Sequence, residues 1–495
     1  MKKLLLISAL AVASCCNLAA ENPKTEFRGA WVHTVGQGQY AKMNPAETQA
    51  YLIDQLDKLQ AAGCNACVFQ VRPSADAFYK SDLEPWSRFL TGTAGQAPVP
   101  FWDPLQFMIE ESHKRGMELH AWLNPYRVTT SKGEKLPKNH IYYQHPERFV
   151  KYADNKMYFD PGLPENRKFI EEVVKDIITR YDVDAIHMDD YFYPYPVEGK
   201  EFPDAKSHKK YGKGMDRGDW RRHNVNLLIE GLHEVIMANK PWVRLGISPF
   251  GIWRNQGSDK RGSDTNGLQN YDQLYADVLL WTEKGWVDYM LPQLYWSLEK
   301  KVASSLKLAY WWNDNANGRH MYIGQSVVRT MDSADLAPSK NPTQLDHKIQ
   351  LSRELKNVQG NCWWPGYSVT SNYKGVADSL ANNQQSTIAL VPNYPWIDNV
   401  APENVINLKQ VDNKLQWEPA KSEDVMQQAR SFVVYSFKAG EKVDLNRAAA
   451  IQAVTYTNEY VLPADKKGEY TYVVTTLDRA NNESKEGTSI KVNLK

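Results

Sequence analysis

The sequence predicts an α/β protein: a (β/α)8 TIM barrel followed by a small all-β sandwich domain. Three observations carry that reading. Eight β-rich runs alternate with amphipathic helical stretches over roughly 360 residues. Such alternation implies a parallel sheet, and eight repeats imply a closed barrel. Most of the runs end in polar or aromatic residues. Beyond Pro392, Pro395 and Pro402 the helical period disappears and short alternating runs replace it.

The spacing predicts strands over 28–33, 66–72, 118–124, 185–190, 244–249, 289–296, 321–326 and 361–367. The first helix is capped at Asn44-Pro45, carries Tyr51, Leu52, Leu56 and Leu59 at helical spacing, and stops at Gly63. Asp103-Pro104 starts the next helix and Gly116 ends it. Further helices are expected over 164–181, 220–239, 271–285 and 342–358. The chain exceeds the ~250 residues typical of such barrels. The surplus falls in the loops 73–101, 125–162, 191–217 and 250–270, which flank the mouth where these barrels place their sites and read as cleft walls for an extended substrate. The tail offers strands over 405–408, 414–417, 432–437, 470–476 and 489–492. Leu415-Gln416-Trp417-Glu418-Pro419 and Tyr470-Thr471-Tyr472-Val473-Val474 resemble strands B and F of fibronectin type III domains. The domain reading is a signal over 1–20, a barrel over 21–395 and a sandwich over 396–495. The Pro-rich boundary predicts a tail that folds alone and a barrel that works without it.

The strand 185–190 is the most informative. Period-two alternation puts Ala185, His187 and Asp189 on one face and Ile186 and Met188 on the other. The apolar pair belongs against the helices, so His187 and Asp189 point into the barrel near its upper rim. A strand that ends or bulges there brings Asp190 to the cleft as well. Charge on an inner face at the catalytic end is hard to explain by packing, so Asp189 and Asp190 are the candidate catalytic residues. Other strand ends supply candidate substrate contacts: Arg72, Asp76, Asn124, Tyr126, Arg127, His187, Tyr191, Gln293, Tyr295 and Trp363. Their common position at strand C-terminal ends is the argument, because those ends converge in space. A metal hydrolase using His33, His187 and Asp189 is a further reading, but its ligand spacing is not diagnostic. No metal and no cofactor are expected.

Four segments resemble a known family. They are Phe27-Arg28-Gly29-Ala30-Trp31-Val32, Phe69-Gln70-Val71-Arg72-Pro73-Ser74-Ala75-Asp76-Ala77, His120-Ala121-Trp122-Leu123-Asn124-Pro125-Tyr126-Arg127, and the run 183–194 around Asp189-Asp190. Over roughly residues 26 to 375 the chain is similar to the bacterial glycosyl hydrolase-like 10 family. The resemblance implies a glycosidase-like barrel in an envelope protein, often a lipoprotein, with peptidoglycan glycan strands as the leading substrate class. Glycosidases usually set two carboxylates across the scissile bond, yet the other strand ends offer few acids. Two adjacent acids suggest substrate-assisted hydrolysis of an N-acetyl sugar, in which one carboxylate is the acid and the other orients the acetamido nucleophile. Gln293, Tyr295 and Trp363 are similar in position to residues around the acetamido group in chitinase-like barrels. The alternative mechanism pairs Asp189 with a loop acid such as Asp76. The rival class is a non-catalytic glycan-binding protein.

The ends and composition agree with export. Lys2 and Lys3 precede an apolar run and small residues, the layout of a secretory signal. Val12-Ala13-Ser14-Cys15 resembles a lipobox, which would place a lipid anchor on Cys15; the alternative is cleavage near Ala19 or Ala20. The expected location is the periplasm or the cell envelope. Lys and Arg total 59 against 58 Asp and Glu, and no basic stripe stands out, which argues against nucleic acid. Cys64-Asn65-Ala66-Cys67 has no second pair to complete a zinc site, so Cys64, Cys67 and Cys362 read as buried thiols. The expected partner is a polysaccharide.

Overall fold

The computed structural model describes residues 22–335 and 342–495. The expected signal and the lipobox-like run ending at Cys15 lie outside the described residues. Eight parallel strands close into a barrel: β1 (Phe27–Val32), β2 (Ala66–Arg72), β3 (Glu118–Leu123), β4 (Ala185–Met188), β5 (Arg244–Ile247), β6 (Tyr289–Met290), β7 (His320–Ser326) and β8 (Val358–Trp364). Each pairs with its sequence neighbour, and β1 closes on β8.

The helices begin where local chemistry starts them. Asn44 and Glu47 form a reciprocal capping box ahead of Pro45–Ala61. Asp103 caps Pro104–Lys114 through Leu105 and Gln106. The helical layer departs from the sequence reading at two points. The expected helix 271–285 is split, because Tyr275 takes a left-handed conformation (φ 55°) ahead of the short helix Val278–Glu283. A helix that the apolar spacing did not suggest, Ser305–Asp314, lies between β6 and β7 and buries Leu308, Ala309 and Trp312.

The outer core packs strands on helices, while the barrel interior is built from rings. Phe27, Trp31, Trp122, Tyr289 and Tyr322 fill it, with the Phe27 and Tyr322 rings stacked 4.0 Å apart. Glycine makes the room: a Cβ on Gly246 would sit 1.8 Å from the Tyr289 ring. Cys64, Cys67 and Cys362 are free and buried, and burial pushes the Cys64 thiol up to about 12.

The tail forms two antiparallel sheets. One orders Ile406–Val411, Lys414–Glu418 and Glu459–Val461; the other orders Ile451–Thr455, Ser431–Lys438, Gly468–Leu477 and Thr488–Leu494. Leu415 and Trp417 of the first sheet share a buried cluster with Phe432, Val434, Tyr472 and Val474 of the second. The tail is tied to the barrel's lower face, at the strand N-terminal ends. Arg430 donates to Asp184 (3.0 Å), just before β4, and pairs with Asp182. Tyr456 stacks on His113 with centroids 4.3 Å apart, and Asn481 donates to Glu118 (2.9 Å). In the linker, Tyr394 plugs the barrel base through a 2.6 Å hydrogen bond to Tyr322.

Candidate active site

Strand β4 ends at Met188, so Asp189 and Asp190 both lie on the first bend beyond it and both reach the upper end of the barrel. Each carboxylate is only 4% exposed. Asp189 accepts from the Trp122 indole N–H (3.1 Å), the Asn124 amide (2.9 Å) and the Tyr191 backbone N–H (3.2 Å). Burial raises its carboxyl above the usual range, opposed by the Arg127 charge and by those three donors. Asp190 accepts from the Tyr195 hydroxyl and from Gln293 Nε2 (3.1 Å). Gln293 Nε2 also donates to the Ser248 carbonyl (3.1 Å), which fixes the orientation of the amide. Burial, and then the neighbouring Asp189 charge, push Asp190 up to about 6. The pair therefore sits in two different settings: Asp189 is locked by three donors, and Asp190 takes up its proton at about pH 6, well above an ordinary Asp.

Above the acids opens a cleft of about 490 Å3 lined by Tyr195, Phe250, Gln293, Tyr295, Trp296, Ser326, Arg329 and Trp364. Trp31 is buried beneath the cleft, edge-on to Tyr295 (6.3 Å) and Trp364 (6.3 Å). Tyr367 stands 51% exposed at the rim beside His33. Flat rings of this density suit the C–H faces of sugar rings. No described residue hydrogen-bonds the Tyr295 hydroxyl, and the hydroxyl is not sealed from solvent.

Beneath the floor a directed hydrogen-bond chain descends the barrel axis. The Trp31 indole donates to His187 Nε2 (3.1 Å), so His187 carries its proton on Nδ1 and donates to the Tyr289 hydroxyl (3.0 Å). Tyr289 donates to His120 Nδ1 (2.8 Å), and His120 Nε2 donates to Glu118 (2.9 Å), which pairs with Arg244. Burial holds His187 well below the usual imidazole range, so it stays neutral.

The sequence-derived contacts separate accordingly. Arg127, Tyr191, Gln293 and Tyr295 gather around the acids or the cleft. Arg127 is anchored to the Pro73 carbonyl and lies over the Tyr191 ring at 5.4 Å. Asn124 is fully buried and positions Asp189. Four residues are corrected by their burial. Arg72 is spent on a two-pronged pair with Glu84 and on the Asn124 and Pro125 carbonyls. His187 has both ring nitrogens engaged, which also leaves no free ligand for the His33, His187 and Asp189 metal reading. Tyr126 is sealed in the outer core, and so is Trp363, whose neighbour Trp364 faces the cleft instead. Asp76 lines a different small cavity with Trp86, Arg88 and His140, where burial raises its carboxyl to about 7. That placement separates it from the cleft that the Asp189–Asp76 pairing requires. Trp31, Trp122, Tyr195, Phe250, Trp296 and Trp364 were not singled out. For Trp364 a signal existed: it shares the inward face of β8 with Cys362.

The sequence profile of the glycosyl hydrolase-like 10 family matches residues 26–338. The chain is 39% identical over 496 aligned positions to Glycosyl hydrolase YngK of Bacillus subtilis (strain 168), covering 97% of this chain and 96% of that protein. It is 37% identical over 361 positions to Glycosyl hydrolase DigH of Escherichia coli (strain K12), covering 68% of this chain and 81% of that protein. Among solved structures, the glycoside hydrolase domain of PgaB from Bordetella bronchiseptica is similar with a TM-score of 0.45 at 10% identity, covering 72% of this chain and 98% of that one.

Proposed function

The chain belongs to the glycosyl hydrolase-like 10 family, and from that premise we propose that it hydrolyses an N-acetyl-sugar polysaccharide, foremost the glycan strands of peptidoglycan, by substrate-assisted catalysis. The observation that carries this reading is the split acid pair at the end of β4 under an aromatic cleft. Asp190, at about 6, gives its proton to the glycosidic oxygen as the C1–O bond breaks. Asp189, held by Trp122 and Asn124, accepts the acetamido N–H and aligns the acetamido oxygen to attack C1. The ring-closed oxazolinium is then opened by water, which returns a proton to Asp190. The Tyr295 hydroxyl donates to the acetamido oxygen, and Trp364 carries the sugar face. Asn124, Tyr195 and Gln293 act as positioning residues.

The same reading extends to the ends of the chain. We take the start as an export signal, with Cys15 as a lipid anchor in the envelope. The tail is read as a fibronectin type III-like sandwich, supported by the buried cluster that its two sheets share.

The test compares N-acetylated glycan strands with de-N-acetylated ones, and adds a thiazoline mimic of the cyclic intermediate. Cleavage confined to acetylated strands, with thiazoline inhibition, is expected. Equal rates on both, or a glycosyl ester trapped on Asp189, contradict the acetamido route and make Asp189 the nucleophile. Tight binding with no release of reducing ends favours the glycan-binding class instead.

A further inference from the structure

The cleft does not end at Tyr295. Past Trp296 it continues into a groove of about 220 Å3 that includes Ser297, Lys300, Arg329 and Asp332. Trp296 and Arg329 line both spaces, so the two form one channel leading away from the acid pair. Arg329 follows β7 on the short helix Val327–Asp332. Its backbone N–H bonds Ser326, but its exposed guanidinium has no hydrogen bond or ion pair among the described residues. Other arginines near the upper end of the barrel are engaged: Arg72 with Glu84, Arg127 with the Pro73 carbonyl, Arg221 with Asp204, and Arg254 with Asp272. The Lys300 ammonium likewise has no hydrogen bond or ion pair among the described residues. Among the described residues the acid lining the groove, Asp332, is already matched by Lys374 (2.5 Å) and the Tyr373 hydroxyl (3.0 Å). The groove wall is firm. Lys348, buried behind it, donates to the Trp296 carbonyl (2.8 Å) and to Thr330 (3.1 Å).

A cleft wall that presents one free guanidinium and one free ammonium, with its acid already neutralised, is complementary to negative charge on the ligand. The planar fork of a guanidinium matches the two oxygens of a carboxylate. We propose that Arg329, assisted by Lys300, determines specificity in a second subsite that binds a carboxylate on the sugar beside the one cleaved. The proposal rests on the glycosidase reading and narrows its substrate to an acidic glycan. The carboxylate comes either from an ether-linked lactyl group on a hexosamine or from a uronic acid.

The experiment measures kcat/KM of the intact protein on two strand types. One alternates N-acetylhexosamine with its lactyl ether; the other alternates N-acetylhexosamine with a uronate. Each is compared with the same strand after its carboxyls are converted to neutral methylamides. We expect about a tenfold preference for the free carboxylate in one strand type, carried mainly in KM, and that strand names the source. Arg329→Gln should abolish most of the preference, and Arg329→Lys should restore part of it. Because Arg329 is exposed, 0.5 M salt should shrink the preference in the parent. Cleavage at equal rates with and without the carboxylate, or a preference unchanged in Arg329→Gln, overturns the subsite and leaves the glycosidase reading standing. No binding and no cleavage of any strand overturns both.

Discussion

Replacing Asp190 by Asn should make the protein more stable at neutral pH while it loses activity. An ordinary Asp carboxyl titrates near 3.8, and in the fold Asp190 titrates at about 6. Below pH 4 the group is protonated in both the folded and the unfolded chain and contributes no difference. Above pH 6 it is ionised in both, but the fold disfavours that charge. Stability is therefore lost as pH rises from about 4 to about 6 and stays lower above it. The difference in titration corresponds to about 3 kcal/mol. The Asn side chain keeps the local bonds: its oxygen accepts from Gln293, and its amide donates to a Tyr195 hydroxyl turned to accept. Allowing for imperfect geometry, Asp190→Asn should gain about 1–3 kcal/mol at pH 7.5 and almost nothing at pH 4. Urea unfolding of parent and variant at both pH values reads this directly as a shift in midpoint. A variant that is equally stable or less stable at pH 7.5, or whose gain is the same at both pH values, would refute the claim that burial and the Asp189 charge hold a proton on Asp190.

Two further outcomes follow from the packing. Trp363→Ala should cost about 3–5 kcal/mol in urea unfolding, because it empties a sealed outer-core site; Trp364→Ala should cost little stability and lower kcat/KM at least about tenfold, because its ring faces the cleft. Arg430→Met should lower stability by about 3 kcal/mol, since it strips a partner from the buried Asp184 carboxylate. The change lies at the strand N-terminal ends, away from the cleft, so kcat/KM of the folded fraction should stay within about twofold. A matched loss of kcat/KM would show that the tail shapes the site through β4.

What was legible in the sequence was what local chemistry decides. Asn44-Pro45 and Asp103-Pro104 announce helix starts because a side-chain cap and a proline at the first helical position act within one turn. The alternation Ile186, His187, Met188 is legible because β4 is regular over Ala185–Met188, and Asp189 follows directly on its end. The failures came from facts set by the whole fold. Trp363 and Trp364 differ by one position and so face opposite sides of β8; Trp364 shares the inward face with Cys362, which only the closed barrel identifies as inward. Arg72 and His187 carry chemistry that suits a cleft, but their partners Glu84, Trp31 and Tyr289 come from other segments and spend that chemistry on structure. Pro292 lacks a backbone donor soon after β6 ends, so the expected strand 289–296 shortens to Tyr289–Met290. Arg430 lies 246 residues from Asp184 in sequence, and no local pattern links them.

The central claim is that Asp189 and Asp190 carry out glycosidic cleavage. The most direct measurement is the rate of reducing-end release from N-acetylated peptidoglycan glycan strands by the parent, Asp189→Asn and Asp190→Asn, each checked for folding. The account predicts measurable release by the parent and a loss of at least about a hundredfold in each variant, with the parent's rate falling as pH rises above about 6. Release by both variants within a few-fold of the parent, or a parent rate that rises steadily through neutral pH, would contradict it.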